Sequence, residues 1–365
     1  MATTGQEEFT LDTAAQLAAE EGGGKRIEGR SPWALAGRRL RRNYVALASI
    51  GLFLLIVVSC LLWPVYAHHI SHRGPDDPNA TGSIREGSKS VAVLSNGGTV
   101  VLPNGTVVVT PAGQPIGPQW GAAGGQYFFG ADQLGRDLGP RLLEGGQNSL
   151  FVGVTSAAIC TVLAVLLALL AGYFGGVADW IISRFFDLIW AFPVVLLAIA
   201  LGTALSINGF HHFGLNLSGS SLWIPIGVIA FVFIPYIGRP LRGQVLALRQ
   251  REFVEAATAQ GAGSIRIMFT ELLPNIASTV LVLFTLIVAN TILTEAGLSF
   301  LGAGVRPPNP SWGTLISDGQ AYLQTDPWFS VFPGIALALT VLSINIFGDG
   351  LRDALDPRAK VRIEH

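Results

Sequence analysis

Most apolar residues fall in long runs rather than in helical stripes or strand alternation. Six runs stand out, near Tyr44–Tyr66, Ser149–Tyr173, Trp180–Leu205, Leu222–Gly238, Asn275–Thr294 and Trp328–Phe347. A helix crossing a hydrocarbon core of about 30 Å needs about 20 apolar residues, so these runs predict six spans. The fourth is the shortest and carries Pro225 and Pro235. Neighbouring helices can satisfy the carbonyls a proline frees, so it stands as a span. The first run is too long and too far along the chain for a cleaved signal peptide, and reads as an anchor.

Composition supports a chain built for lipid. Of 365 residues half are hydrophobic and only 13% charged, against about 25% in soluble domains. The formal charge of −1 gives no basic excess for nucleic acid, and the apolar content excludes general disorder. The 44 glycines have no collagen-like period and suit turns and close helix contacts. Cys60 and Cys160 lie in separate apolar runs and read as packed free thiols. Basic residues set the orientation. Seventeen of the 23 Lys and Arg fall before span one, at the start of span three, between spans four and five, or after span six; the other six lie on the opposite side. Both termini are therefore expected on the cytoplasmic side of a plasma membrane.

The polar segments divide the chain into a tail (1–43, with a short helix near Leu11–Glu21), the first span (44–66), an external segment (67–147), a five-helix core (148–350) and a C-terminal tail (351–365). In the external segment, Val91–Leu94, Thr99–Leu102 and Thr106–Thr110 are β-rich, separated by Ser95-Asn96-Gly97-Gly98 and Pro103-Asn104-Gly105. Asn-Gly is a strong hairpin signal, so a small three-stranded meander near 91–110 is expected. His68, His69 and His72 have the spacing of a weak metal motif without supporting ligands; no metal site is assigned. Asn79, Asn104 and Asn216 begin glycosylation-type tripeptides, a pattern frequent by chance.

The loop 239–274 carries the most information. Arg249–Gln260 favours helix, with Arg251 and Glu255 spaced to pair and an apolar stripe of Phe253, Ala256, Ala257 and Ala259. Gly261 and Gly263 end that helix, Ser264 can cap a second short one over Ile265–Leu272, and Pro274 opens span five. Small residues in a helix–turn–helix leave room for a partner to approach closely.

Glu255-Ala256-Ala257, Gly261 six residues after Glu255, and Leu273-Pro274 resemble the coupling loop of ABC importer permeases. Other segments extend the likeness: Gly130-Ala-Asp132-Gln-Leu-Gly135-Arg136-Asp137; Glu295-Ala-Gly-Leu-Ser-Phe-Leu-Gly302 with Pro307-Pro308-Asn-Pro-Ser-Trp312-Gly313; and Gly348-Asp349-Gly-Leu-Arg352-Asp353-Ala-Leu-Asp356-Pro357. Together they look like the C-type permease of dipeptide/oligopeptide importers. The likeness covers about 35–60 and 128–360. Glu271 stands where many members have Ile, as in the peptide branch, and Gln147 where relatives often have Arg.

The resemblance implies an all-α polytopic membrane protein of the type I importer permease kind, with a small external β-rich insertion. It implies a second permease, two ATP-binding subunits and an external substrate-binding protein. ATP and Mg would be bound by those partners, with no cofactor in this chain. Glu255, Ala256, Ala257, Gly261, Leu273 and Pro274 become coupling candidates.

Phosphate-loop, nucleophile-elbow and zincin motifs are missing from the sequence. A gradient-driven carrier is the competing class and needs an ionisable group near the midplane. Arg184 and Asp187 lie near one end of span three and are spaced to pair with each other. Asn290, Glu295 and Trp312 are candidates for the pathway or a gate; Glu295 could instead be a helix-end cap and Trp312 an interfacial anchor. The topology predicts that cysteines at Ser95 and Thr258 react with an impermeant maleimide from opposite sides of the membrane. Reaction from one side would break the six-span arrangement.

Overall fold

A computed structural model describes residues 32–86, 89–101, 107–120, 126–212 and 215–355. The expected Leu11–Glu21 helix and the last ten residues lie outside that range. The described residues are mainly helical, with three small hairpins among them. Helix α1 (Pro32–Arg42) leads through Asn43 into α2 (Tyr44–Leu61), where the Asn43 side chain caps the helix by accepting from the Ala46 N–H at 3.1 Å. After strands β1 (Ser83–Glu86), β2 (Lys89–Ala92), β3 (Leu94–Val101) and β4 (Val107–Pro115) come α3 (Leu138–Phe174), α4 (Gly176–Trp190), α5 (Val194–Asn208), the hairpin β5 (Phe210–His212) and β6 (Leu215–Leu217), and α6 (Trp223–Arg249). The last elements are α7 (Glu252–Ala259), α8 (Ser264–Phe300), α9 (Trp312–Gly319) and α10 (Trp328–Leu355).

Five helices, α2, α3, α6, α8 and α10, are individually long and apolar enough to span. The expected third span is not one helix: α4 and α5 meet at a bend of 88°. Pro193 has no N–H to give, and it disfavours helical backbone at Phe192. Counted as one broken span, the pair makes six.

Helix α3 is the hub, packing against α2, α6 and α8. Its small residues permit the approach. A Cβ on Gly146 would sit 2.7 Å from the Trp312 ring, and one on Gly153 3.0 Å from the Ile292 backbone. Hydroxyls tie the helices where no water competes. Ser156 Oγ lies 3.2 Å from the Ile226 carbonyl of α6, and Thr291 Oγ1 of α8 lies 2.9 Å from the Gly153 carbonyl. Cys60 and Cys160 are free and buried.

The β-rich insertion is two separate hairpins, not a meander. β1 (Ser83–Glu86) pairs with β2 (Lys89–Ala92), and β3 (Leu94–Val101) with β4 (Val107–Pro115), all antiparallel. Asn96-Gly97 makes no turn. Gly97 takes φ +73° inside β3, while the register shift between Leu94 and Asn96 places the extra residue on β4, where Gly113 is at φ +78° and serves the bulge. The Pro103-Asn104-Gly105 turn lies outside the described residues. A small core of Ile84, Val93, Tyr127 and Ala131 seats the insertion.

Replacing Gly146 with Leu is expected to cost about 1–3 kcal/mol through overpacking against Trp312. A lowered thermal midpoint of the detergent-solubilised protein checks it; an unchanged midpoint would mean α3 and α9 do not pack this closely.

Candidate functional site

The helix–turn–helix of the 239–274 loop is present, but its details differ from the sequence reading. Helix α6 stops at Arg249, and Arg251 is extended (φ −91°, ψ 149°) as the N-cap of α7. Arg251 and Glu255 therefore do not share a helix, and no ion pair joins them among the described residues. Gly261 closes α7 at φ +79°. The Ala262 N–H donates to the Ala257 carbonyl at 3.0 Å and the Gly261 N–H to Thr258 at 2.9 Å, a Schellman closure that only a residue tolerating left-handed backbone completes without strain. Gly263, at φ −69°, is the N-cap of α8, and Ser264 makes no capping bond.

Pro274 does not begin a helix. Leu273 and Pro274 lie within the continuous α8, just after the wide-turn segment Ile267–Leu272. Proline cannot donate to the carbonyl four residues back, and a widened turn absorbs that loss.

The loop's inner and outer faces also differ from expectation. Val254 is the buried side chain of α7, with Ala257 and Ala262 packed beside it in the core that includes Ile267, Met268 and Leu272. Phe253, Glu255, Ala256, Ala259 and Gly261 are exposed. Nothing within 4 Å would meet a Cβ on Gly261. A cleft of about 600 Å³ lies beside α7, lined in part by Tyr173, Arg249, Glu255 and Thr258. The loop is thus held by one face and presents small, open positions on the other.

On the same side, α4 is strapped to α6. Arg242 makes a two-pronged contact with Asp179, one branch at 2.6 Å. Arg239 reaches Asp187 at 2.6 Å and lies 4.0 Å over the Trp190 ring. Arg184 adds the expected pair with Asp187 at 3.3 Å.

At the opposite end, Glu295 and Trp312 turn out to be buried, exposed by 0% and 1%. They anchor a loop of their own chain instead of lining a surface. Glu295 Oε1 accepts from Ser299 Oγ at 2.6 Å, while the Ser299 oxygen accepts from the Val305 N–H at 2.9 Å. Ser149 and Ser311 flank the same carboxyl group. The Trp312 N–H donates to Ser149 Oγ and its indole to the Leu142 carbonyl, each at 3.1 Å. Trp312 is therefore a buried peg between α3 and α9, and no interfacial anchor. Asn290 differs: it is exposed, its amide bonded only to the Leu286 carbonyl at 2.8 Å.

The Gly130–Asp137 segment is a clamp. Asp137 caps α3 through the Gly139 N–H at 2.9 Å and also accepts from Ser71 Oγ at 2.6 Å and the Tyr127 N–H at 2.9 Å. Burial pushes its carboxyl above the usual aspartate range, and these three donors pull it back. Gln147 accepts from the Trp63 indole at 2.6 Å, so it serves packing. The histidines gather no cluster of three ligands among the described residues. His72 instead bonds the His68 carbonyl at 3.0 Å.

Residues 164–361 match the family described as binding-protein-dependent transport system inner membrane component, and residues 31–82 match the N-terminal membrane domain of oligopeptide transport permease C. The chain belongs to this permease family. It is 34% identical, over 90% of its length and 91% of the relative's, to a dipeptide transport system permease protein of Alkalihalophilus pseudofirmus. A glutathione transport system permease protein of Pectobacterium atrosepticum is 33% identical over 91% of this chain and 93% of its own. A putative peptide permease protein of Brucella ovis is 42% identical over 67% and 76%. A solved inward-facing MetNI methionine ABC transporter chain covers 59% of this permease and 96% of itself, at 18% identity and a TM-score of 0.47.

Sequence reasoning missed the serines around Glu295. Ser299 lies four residues after Glu295 on the same helix, a spacing legible in the sequence, and Ser311 three residues before Thr314 forms a capping box; only the approach of Ser149 needs the fold. Replacing Ser299 with Ala is expected to leave a carboxyl oxygen and the Val305 N–H unpaired, at about 1–3 kcal/mol each. Faster amide exchange over 302–311 in the variant checks it; unchanged exchange would mean the serine does not hold that loop.

Proposed function

We propose that this permease is the membrane subunit of an ATP-driven importer for di- or oligopeptides. The observation that carries the reading is the outward presentation of Glu255, Ala256 and Gly261 on a turn that joins two spanning helices. Such a turn suits a separate ATP-binding subunit. ATP and Mg would be bound there, because this sequence has no phosphate loop of its own. Each of two such subunits would engage one permease, and a second, related permease would complete the pathway. The mid-helix amide of Asn290 supports this, since a polar group at membrane depth needs protein or water against it. An external binding protein would deliver the peptide on the side of the β-hairpins, with both termini cytoplasmic. The peptide assignment rests on the names of the relatives.

Closure of the ATP-binding subunits would push on α7, and the push would pass to α6 and α8 at once. The strap from Arg239 and Arg242 would carry α4 along.

Gly261 provides the test. Gly261→Ala and Gly261→Trp share the same left-handed backbone strain of about 1–2 kcal/mol. No atom of this chain lies within 4 Å of a Cβ at Gly261, so the two variants differ in the bulk they present outward. The Trp variant is expected to insert normally and lose peptide uptake and stimulated ATP hydrolysis, while Ala retains a substantial part of both. Equal uptake by the two variants would remove the docking assignment.

A further inference from the structure

On the side of the β-hairpins a cleft of about 510 Å³ opens between residues 133–136, the first turn of α3, the end of α8, the 305–309 loop and α9. Arg136, Arg141, Arg306 and Asp318 line it. Two of the three arginines are already committed. Arg136 Nε bonds Asp132 at 2.6 Å, and its terminal nitrogen lies 3.5 Å from Asp76. Arg141 reaches Asp76 at 3.0 Å, the Pro75 carbonyl at 3.1 Å and Asp132 at 3.3 Å. Those two arginines and two aspartates balance.

Arg306 and Asp318 do not share in this. Among the described residues neither has an ion pair or a side-chain hydrogen bond, and none joins them to each other. Arg306 Nε is sealed from solvent without an acceptor. Burial pushes the Asp318 carboxyl up, Arg141 and Arg136 pull it down, and Asp132 adds a further upward push. The Arg306 side chain as a whole is half-buried at the cleft wall. The remaining polar lining is Gln133 and Ser317, with Asn309 tied to the Ser220 carbonyl and Thr314 to Ser311, against the apolar Leu134 and Val305.

One unpaired cation and one unpaired anion in a cavity of small-ligand size complement a molecule that carries both charges itself. We propose that this cleft receives the free ends of a short peptide, its carboxylate on Arg306 and its ammonium on Asp318. The inference rests on the peptide reading and adds a receiving site on this subunit. Ser299 lines the cleft and holds Val305 and Glu295, so an occupied cleft bears directly on the end of α8.

The test uses the assembled transporter in nanodiscs without its external binding protein, titrated calorimetrically with Ala-Ala-Ala, its N-acetyl form and its C-terminal amide. Wild type is expected to bind the free tripeptide at least tenfold more tightly than either blocked form. Arg306→Gln should erase the preference for a free carboxylate, and Asp318→Asn that for a free ammonium. No binding by wild type, or equal affinity for free and blocked peptides, overturns the inference; that arm needs no variant to fold. Weakened capture of the binding protein with unchanged tripeptide affinity overturns it too, by making the cleft a protein-docking surface. Uptake by wild type with its binding protein is scored separately. Peptide uptake without cleft binding removes only the cleft, whereas absence of peptide uptake removes the peptide reading itself.

Discussion

The turn between α7 and α8 is held by one side chain inward and one backbone inversion outward. Val254 is buried, the 267–272 segment packs against α7, and Gly261 reverses the chain through a two-bond closure. The turn is therefore seated on the spanning helix that follows it.

The other end of the bundle solves a different problem. Backbone groups at the ends of the spanning helices need partners where the chain folds back. The Ser299 and Ser311 oxygens accept from the Val305 and Thr314 N–H groups. Ser299 also donates to one Glu295 oxygen while the other has no partner among the described residues, and the Trp312 ring fills the space that Gly146 leaves on α3. Asp137 does the same at the start of α3 by accepting three bonds. These knots fix the hairpin side of the molecule, so a displacement arriving along α8 meets a firm end near the Arg306 cleft.

The spans were legible because length and apolarity alone decide them. Their ends were not. Helix α3 begins eleven residues before its apolar run, through Arg141 and Asn148, whose partners Asp76 and the Pro310 carbonyl are remote in sequence. The 88° bend lay hidden in an unbroken apolar run, although Pro193 marked the place. Asn96-Gly97 carried the right signal for positive φ but not its use, because Gly97 takes that φ within a continuous strand and not in a turn. In the 239–274 loop the sequence disclosed the turn and its residues, while which face of α7 is buried depended on its packing against the 267–272 segment.

The central claim is that the outer face of α7 is covered by an ATP-binding subunit. It is tested most directly by placing a photoreactive benzoylphenylalanine at Ala256, an exposed position, in the assembled transporter and identifying the adduct by mass spectrometry. The account predicts a crosslink to the ATP-binding subunit whose yield changes between nucleotide-free and ATP-trapped states. Adducts to lipid or to other membrane helices alone, with none to a nucleotide-binding subunit in either state, would contradict it.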